Sequence, residues 1–175
     1  MHRETDTTLV LDAETRADEA HADHKDELRL WLRLLTCTTL IESDIRTRLR
    51  ERFDFTLPKF DLMAQLEKTA EGLTLGELSR RMMVSNGNIT GLVERLVELG
   101  LIERVPHPTD RRAAFVRLTP SGRASFARMA EEHGEWVSAI AAGMSAQEVA
   151  TMLRLLAKMK NSVRSRIDGR QGGTP

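Results

Sequence analysis

The stretch from Thr74 to Leu118 constrains the fold more than any other part of the chain, because its local signals allow one order of elements. Thr74-Leu-Gly-Glu77 has the spacing of a capping box, in which a threonine hydroxyl and a glutamate carboxylate each satisfy a backbone N–H left unpaired at a helix start. The short helix it opens places Leu75, Leu78 and Met82 inside. After a tight turn Ser85 stands at the next N-cap, and Ile89, Leu92, Val93, Leu96 and Leu99 follow at helical spacing on the buried face. Gly100 is placed where a left-handed residue ends that helix. Residues 101–105 and 115–118 are then short β-prone runs separated by a polar, proline-bearing segment, which predicts a hairpin with an extended tip.

The flanks read as long helices. Leu30, Leu34, Cys37, Ile41, Ile45, Leu49 and Phe53 recur in steps of three or four, which predicts one amphipathic helix over about 26–53. Trp31, Leu32 and Leu35 widen its apolar face, so it is expected to pack both on its own core and on a partner chain. Thr56 followed by Leu57-Pro58 predicts an N-cap with proline in the first turn, opening a helix with Phe60, Met63, Ala64 and Leu66 inward and a break at Glu71-Gly72. Thr119-Pro120 opens another, carrying Phe126, Met129, Ala130, His133, Trp136, Val137 and Ile140 and ending at Gly143. Ser145-Ala-Gln-Glu148 is a second capping box, before a last helix with Val149, Met152, Leu153, Leu156, Met159 and Val163 along one side.

This order defines a mainly α fold with a small β-hairpin (α+β): a winged helix-turn-helix over about 56–119, set between long N- and C-terminal dimerisation helices over about 26–53 and 120–167. Residues 24–167 are expected to form one compact body, with 1–23 a flexible acidic arm and 168–175 a disordered tail. Hydrophobic residues make up 41% of 175, enough for a sizeable core, while aromatics are only 4% and tyrosine is absent, so the packing should be aliphatic. No run approaches the ~20 apolar residues of a membrane-spanning helix. The polar N-terminus is unlike a signal peptide. A soluble cytoplasmic protein is expected, and the single cysteine, Cys37, fits a reducing compartment.

Net charge is zero, 26 basic against 26 acidic residues, so the distribution carries the information. From Met1 to Leu28 nine acids face three bases, a segment that would repel DNA. From Thr74 to Arg123 eight arginines face five acids. In a helix-turn-helix the second helix enters the major groove. With Ile89, Leu92 and Leu96 inward, a rotation of about 100° per residue turns Gly87, Thr90, Gly91, Glu94 and Arg95 outward. Ser85, Asn86 and Asn88 lie at the N-terminal end, where free N–H groups and the helix dipole favour a phosphate, and asparagine can pair bidentately with adenine. Each helical glycine costs roughly 0.8–1 kcal/mol relative to alanine. Two of them on one face fit a backbone lying close to DNA; a loosely formed helix is the alternative.

The hairpin tip His107-Pro-Thr-Asp-Arg-Arg112 is the most specific feature. Asp110 can brace one of Arg111 and Arg112 while it reaches into a narrow minor groove, where the negative potential is enhanced; an exposed polar turn with a weak ion pair is the alternative.

The residues VSNGNITGLVERLVELGLIERVPHPTDRRAAFVRLTPSG, 84–122, resemble the MarR family of bacterial transcription regulators, and the helical organisation on both sides extends the likeness over nearly the whole ordered chain. The resemblance implies a homodimer on double-stranded DNA, with a pocket for a small-molecule effector between the dimer interface and the DNA-binding lobe, and repression as the default. It assigns Arg112 as the minor-groove arginine and Asp110 as its partner, and matches Thr90 and Arg95 to the recognition-helix pattern. Asn86 and Gly91 stand where many members carry arginine, so base preference does not carry over. The segment 57–96 is similar to the branch controlling breakdown of hydroxycinnamates and related aromatic acids, often in response to their CoA thioesters. Trp31, Phe53, Phe55, Phe60, Met63, Phe126 and Met129, with Trp136, are the candidates to line such a pocket; plain core packing is their alternative.

An enzyme is the rival class, but the chain has no Gly-rich phosphate loop, nucleophile elbow or metalloprotease motif, and no cofactor is expected. His21 and His24 with Asp23 and Glu27 sit at the edge of the acidic arm, and no metal site is expected there. A second rival keeps the fold and makes Cys37 an oxidation sensor, with Arg33 one turn earlier stabilising a thiolate. Leu34, Leu40 and Ile41 around it instead predict a buried structural cysteine.

Overall fold

The structure, a computed structural model, describes residues 25–106 and 114–171. The acidic arm, the tip of the hairpin and residues 172–175 lie outside the described residues. Among the described residues the eight elements that the sequence predicts are present, together with a short further strand, β1: helix α1 (Lys25–Phe53), α2 (Leu57–Glu67), strand β1 (Leu73–Thr74), α3 (Leu75–Met82), α4 (Asn86–Glu98), β2 (Ile102–Pro106), β3 (Ala114–Leu118), α5 (Pro120–Ile140) and α6 (Ala146–Gln171).

The chain divides into two compact units, Met1–His133 and Gly134–Pro175. The second unit holds the end of α5 and all of α6. Val137, Ile140, Met152, Leu153, Leu155, Leu156, Val163 and Ile167 there are all exposed. Helix α6 also runs on to Gln171, past the expected end at Ile167.

In the first unit Leu49, Leu62, Met63, Leu66, Leu78, Ile89, Val93, Leu96 and Val116 are fully buried, which makes α2, α3, α4 and β3 the walls of one core. Helix α1 has three buried residues, Thr36, Ile45 and Leu49. Leu28, Leu30, Trp31, Leu35, Leu40 and Ile41 on its N-terminal half are exposed. Cys37 shares that outcome: it is exposed, not buried as its apolar neighbours suggest, because those neighbours form the open face of α1 and not its core face.

The three strands form an antiparallel sheet in the order β1-β3-β2. Ile102 pairs with Leu118 and Pro106 with Ala114, while Leu73 and Thr74 pair with Val116 and Phe115. The sequence reading lacks β1, since two residues carry no alternation to detect. Gly72 delivers the chain to it with φ +94°, and a Cβ there would lie 2.4 Å from the Val116 carbonyl oxygen, so only glycine fits. Across the hairpin Glu103 and Arg117 stand opposite each other and pair at 2.7 Å.

Both capping boxes form. The Thr74 backbone N–H donates to Glu77 Oε2 at 2.8 Å, and the Glu77 N–H donates to Thr74 Oγ1 at 3.3 Å. The bonds from the Thr74 backbone and hydroxyl hold the Glu77 carboxyl below its ordinary range. Ser145 and Glu148 repeat the arrangement at the start of α6. Thr56 occupies the N-cap of α2 but its side chain makes no cap bond; its carbonyl receives the Lys59 and Phe60 N–H groups. Pro58 has no N–H to offer, and the Lys59 N–H that such a hydroxyl would otherwise serve is taken by the Thr56 carbonyl at 3.1 Å.

Candidate nucleic-acid interface

The turn between α3 and α4 is fixed by Ser79. Its hydroxyl donates to the Val84 carbonyl at 2.6 Å, and its own carbonyl receives the Val84 N–H at 3.2 Å. Met83 between them is left-handed, φ +57°, and its side chain is almost fully exposed. Sequence reasoning passed over Ser79; the signal was a hydroxyl near the end of a short apolar-faced helix, where it can serve a carbonyl of the turn.

Ser85 begins α4 in extended backbone, and its Oγ accepts the Asn88 N–H at 3.4 Å. Ile89, Val93 and Leu96, fully buried, fix the rotation of the helix. The opposite face then carries Asn86, Gly87, Asn88, Gly91, Glu94 and Arg95, all exposed, and the half-buried Thr90, whose hydroxyl donates to the Asn86 carbonyl at 3.0 Å. A Cβ added at Gly87 or Gly91 would meet nothing within 4 Å among the described residues. Packing among the described residues therefore gives no reason for either glycine, although helix propensity disfavours both.

Arg80 and Arg81, at the end of α3, and Arg104, on β2, are exposed beside this helix-turn-helix and hairpin. Arg117 and Arg123 are engaged, the first by Glu103 and the second by Glu67 at 3.5 Å. His107, Asp110, Arg111 and Arg112 lie outside the described residues.

At its far end α4 is stitched to α5. Leu99 is its C-cap and Gly100 is left-handed, φ +67°. The Thr119 hydroxyl lies 2.8 Å from the Gly100 carbonyl and accepts the Gly122 N–H at 3.0 Å, while the Ser121 hydroxyl donates to Gly100 at 3.0 Å. Leu99 is 54% exposed, contrary to its inward reading, because the helix ends at Glu98 and the periodicity stops with it.

Next to Leu99 a cleft of about 590 Å³ opens between the end of α1, the α4–β2 turn and α5. Of the residues predicted to line an effector pocket, Phe53, Phe55 and Met129 border it. Trp31 does not, and stands exposed on the open half of α1. Phe60, Met63 and Phe126 also lie elsewhere: Met63 is fully buried, and the Phe60 ring packs 5.3 Å from Phe126 and 4.9 Å from His133. Burial there pushes the His133 imidazole below its ordinary pKa. Trp136 is buried in the second unit. Among the described residues no cluster of His, Cys, Asp or Glu is arranged to hold a metal, and no described helix is long and apolar enough to cross a membrane.

A helix-turn-helix whose second helix shows an open polar face, followed by an antiparallel hairpin, defines a winged-helix DNA-binding protein. The family profile described as MarR family matches residues 53–113. The chain is 31% identical over 163 residues to the transcriptional activatory protein BadR of Rhodopseudomonas palustris, an alignment spanning 90% of this chain and 93% of BadR. It is 33% identical over 107 residues to the multiple antibiotic resistance protein MarR of Salmonella typhimurium, spanning 61% and 74% respectively. Among solved structures, a cysteine-to-serine mutant of E. coli MarR complexed with operator DNA matches with a TM-score of 0.69 at 26% identity, covering 79% of this chain and 99% of that one. The chain belongs to the MarR family and is a transcriptional regulator, not an enzyme.

Proposed function

We propose that this regulator binds a pseudo-palindromic operator as a homodimer and that a small aromatic acid or its CoA thioester controls that binding. The exposed face of α4 carries the proposal: Asn86, Asn88, Thr90, Gly91 and Arg95 surround a backbone that no described residue shields at Gly87 and Gly91. The operator complex of E. coli MarR supports a DNA role for the corresponding fold. A second copy of the chain is the proposed cover for the apolar side chains left open on α1 and in the C-terminal unit. Whether occupancy represses or activates depends on where the operator lies relative to the promoter, and BadR is named as an activator; the proposal is therefore effector-controlled occupancy, acting in the cytoplasm.

In vitro selection from random duplexes tests this directly. The enriched sites should be inverted half-sites about one helical turn apart, ~34–36 Å between recognition helices. Recovery of unrelated sequences, or of single half-sites bound by a monomer, would overturn it.

The hairpin tip enters as a separate part of the same proposal, with Arg112 reading the minor groove and Asp110 holding it. Arg112→Ala should then lose more affinity on an operator with an A·T flank than on one with a G·C flank. Arg104→Ala, at a phosphate-contacting position, should weaken both equally and lower the salt slope by roughly one. Asp110→Ala decides the bracing role in a gel-shift series. Removing a negative charge near DNA should improve binding unless the carboxylate positions Arg112, so binding equal to or better than the parent rejects the brace.

A further inference from the structure

We propose that Glu94 is a specificity-determining residue of the recognition helix and that its carboxylate accepts the N4 amino group of a cytosine in the major groove. This rests on the reading above that α4 meets the operator, and adds to it one residue and one base. Glu94 is exposed, and the buried Ile89, Val93 and Leu96 fix its place on the helix. At about 100° per residue it stands within about 60° of both Gly87 and Gly91 around the axis, on the open face.

An acid there is unfavourable on two counts. A surface carboxylate on a helix is ordinarily neutralised three or four residues away, as Glu42 and Asp44 are by Arg46 and Arg48 at 3.4 and 2.7 Å. The corresponding neighbours of Glu94 are Thr90, Gly91, Val97 and Glu98, with no base among them and a second carboxylate one turn on. Glu67, Glu77 and Glu103 of the same lobe are engaged, by Arg123, the Thr74 cap and Arg117. Glu94 makes no ion pair among the described residues. The second count is the duplex, whose phosphates repel a carboxylate brought to the groove.

The floor of the major groove is where such a group finds a partner. An ionised carboxylate only accepts hydrogen bonds. Guanine shows two acceptors there, thymine an acceptor and a methyl group, and adenine a donor beside an acceptor, whereas cytosine shows a donor alone. Cytosine is therefore the base that an acceptor-only group selects.

Local structure gives the side chain its reach. Helical side chains lean over the turn N-terminal to them, and for Glu94 that surface holds Gly91 and, one turn further, Gly87, neither with a side chain to obstruct it. The Thr90 hydroxyl is turned back onto the helix, on the Asn86 carbonyl at 3.0 Å. Two glycines that packing does not require thus acquire a reason, since they clear the way from the carboxylate to the base edge. Glu98 does not share the role. It is the last residue of α4, roughly 6 Å further along the axis from the end that approaches the bases.

The test is fluorescence anisotropy with the full-length protein on the operator it selects, with each base pair of the half-sites replaced in turn and N4-methylcytosine placed at each cytosine. That base keeps its pairing hydrogen and puts a methyl group where the major-groove hydrogen was. One cytosine in each half-site should prove necessary, its exchange for thymine or N4-methylcytosine weakening the parent about tenfold. Glu94→Ala should bind the cytosine, thymine and N4-methylcytosine operators within about twofold of one another. Its thermal melt should match or exceed that of the parent, because the repulsion from Glu98 is gone. A parent with no such cytosine, or a Glu94→Ala variant that keeps the parent's base preference at every position, overturns the assignment and leaves the operator reading standing. A parent that selects no operator overturns that reading and the assignment with it.

Discussion

Gly122→Ala should lower the Tm by roughly 10 °C, a loss of about 3 kcal/mol in a chain of this size. Gly122 sits in the first turn of α5, where a Cβ would stand 1.8 Å from the Leu101 carbonyl oxygen and 2.8 Å from its carbon. Those atoms are backbone and cannot rotate away. The same carbonyl receives the Thr119 N–H, and the Gly122 N–H donates to Thr119 Oγ1, so any shift that admits a methyl group breaks the joint between α4, β2 and α5. Gly134→Ala is the control. It lies in the same helix with no described atom within 4 Å of its added Cβ, and should gain up to about 1 kcal/mol from helix propensity. Thermal melts of the two variants that moved together would show that the contact at Leu101 is not what requires glycine.

Gly91→Ala should move stability and function in opposite directions. The fold should gain about 1 kcal/mol, since the added methyl group meets no described atom within 4 Å and the helix loses a flexible residue. Operator affinity should nonetheless fall about tenfold or more, because the methyl group would project from the exposed face of α4 where the backbone is to approach the bases. A thermal melt and a fluorescence-anisotropy titration on one preparation suffice. Operator affinity unchanged in a stabilised protein would remove Gly91 from the contact surface and return the glycine to an unexplained feature of the helix.

How far the sequence carries is visible at particular residues. The capping boxes at Thr74 and Ser145, the cap at Ser85 and the left-handed Gly100 are local devices, completed within a few residues, and each stands where its spacing places it. The outward face of α4 follows from Ile89, Val93 and Leu96 alone. Non-local features were not legible in this way. Strand β1 exists only because β3 is beside it, and Gly122 is required only because Leu101, distant by a hairpin, returns over it. Cys37 and Leu99 show the limit of periodicity: it states that an apolar face exists, not which neighbour covers it or where the helix stops. The cleft was half visible, through Phe53, Phe55 and Met129, while Arg50 and Arg128 reach it from two helices far apart in sequence.

The pairing of β1 with β3 gives the DNA-binding lobe a mechanical property. Thr74 belongs to the strand that holds the hairpin and is at the same time the residue that caps α3. With Gly72 wedged beneath the Val116 carbonyl, there is no slack between the two. The hairpin and the helix-turn-helix are therefore geared together. A displacement of the hairpin stem is transmitted to the start of α3, and through the Ser79 clasp to α4, so the stem and the helix-turn-helix move as one piece.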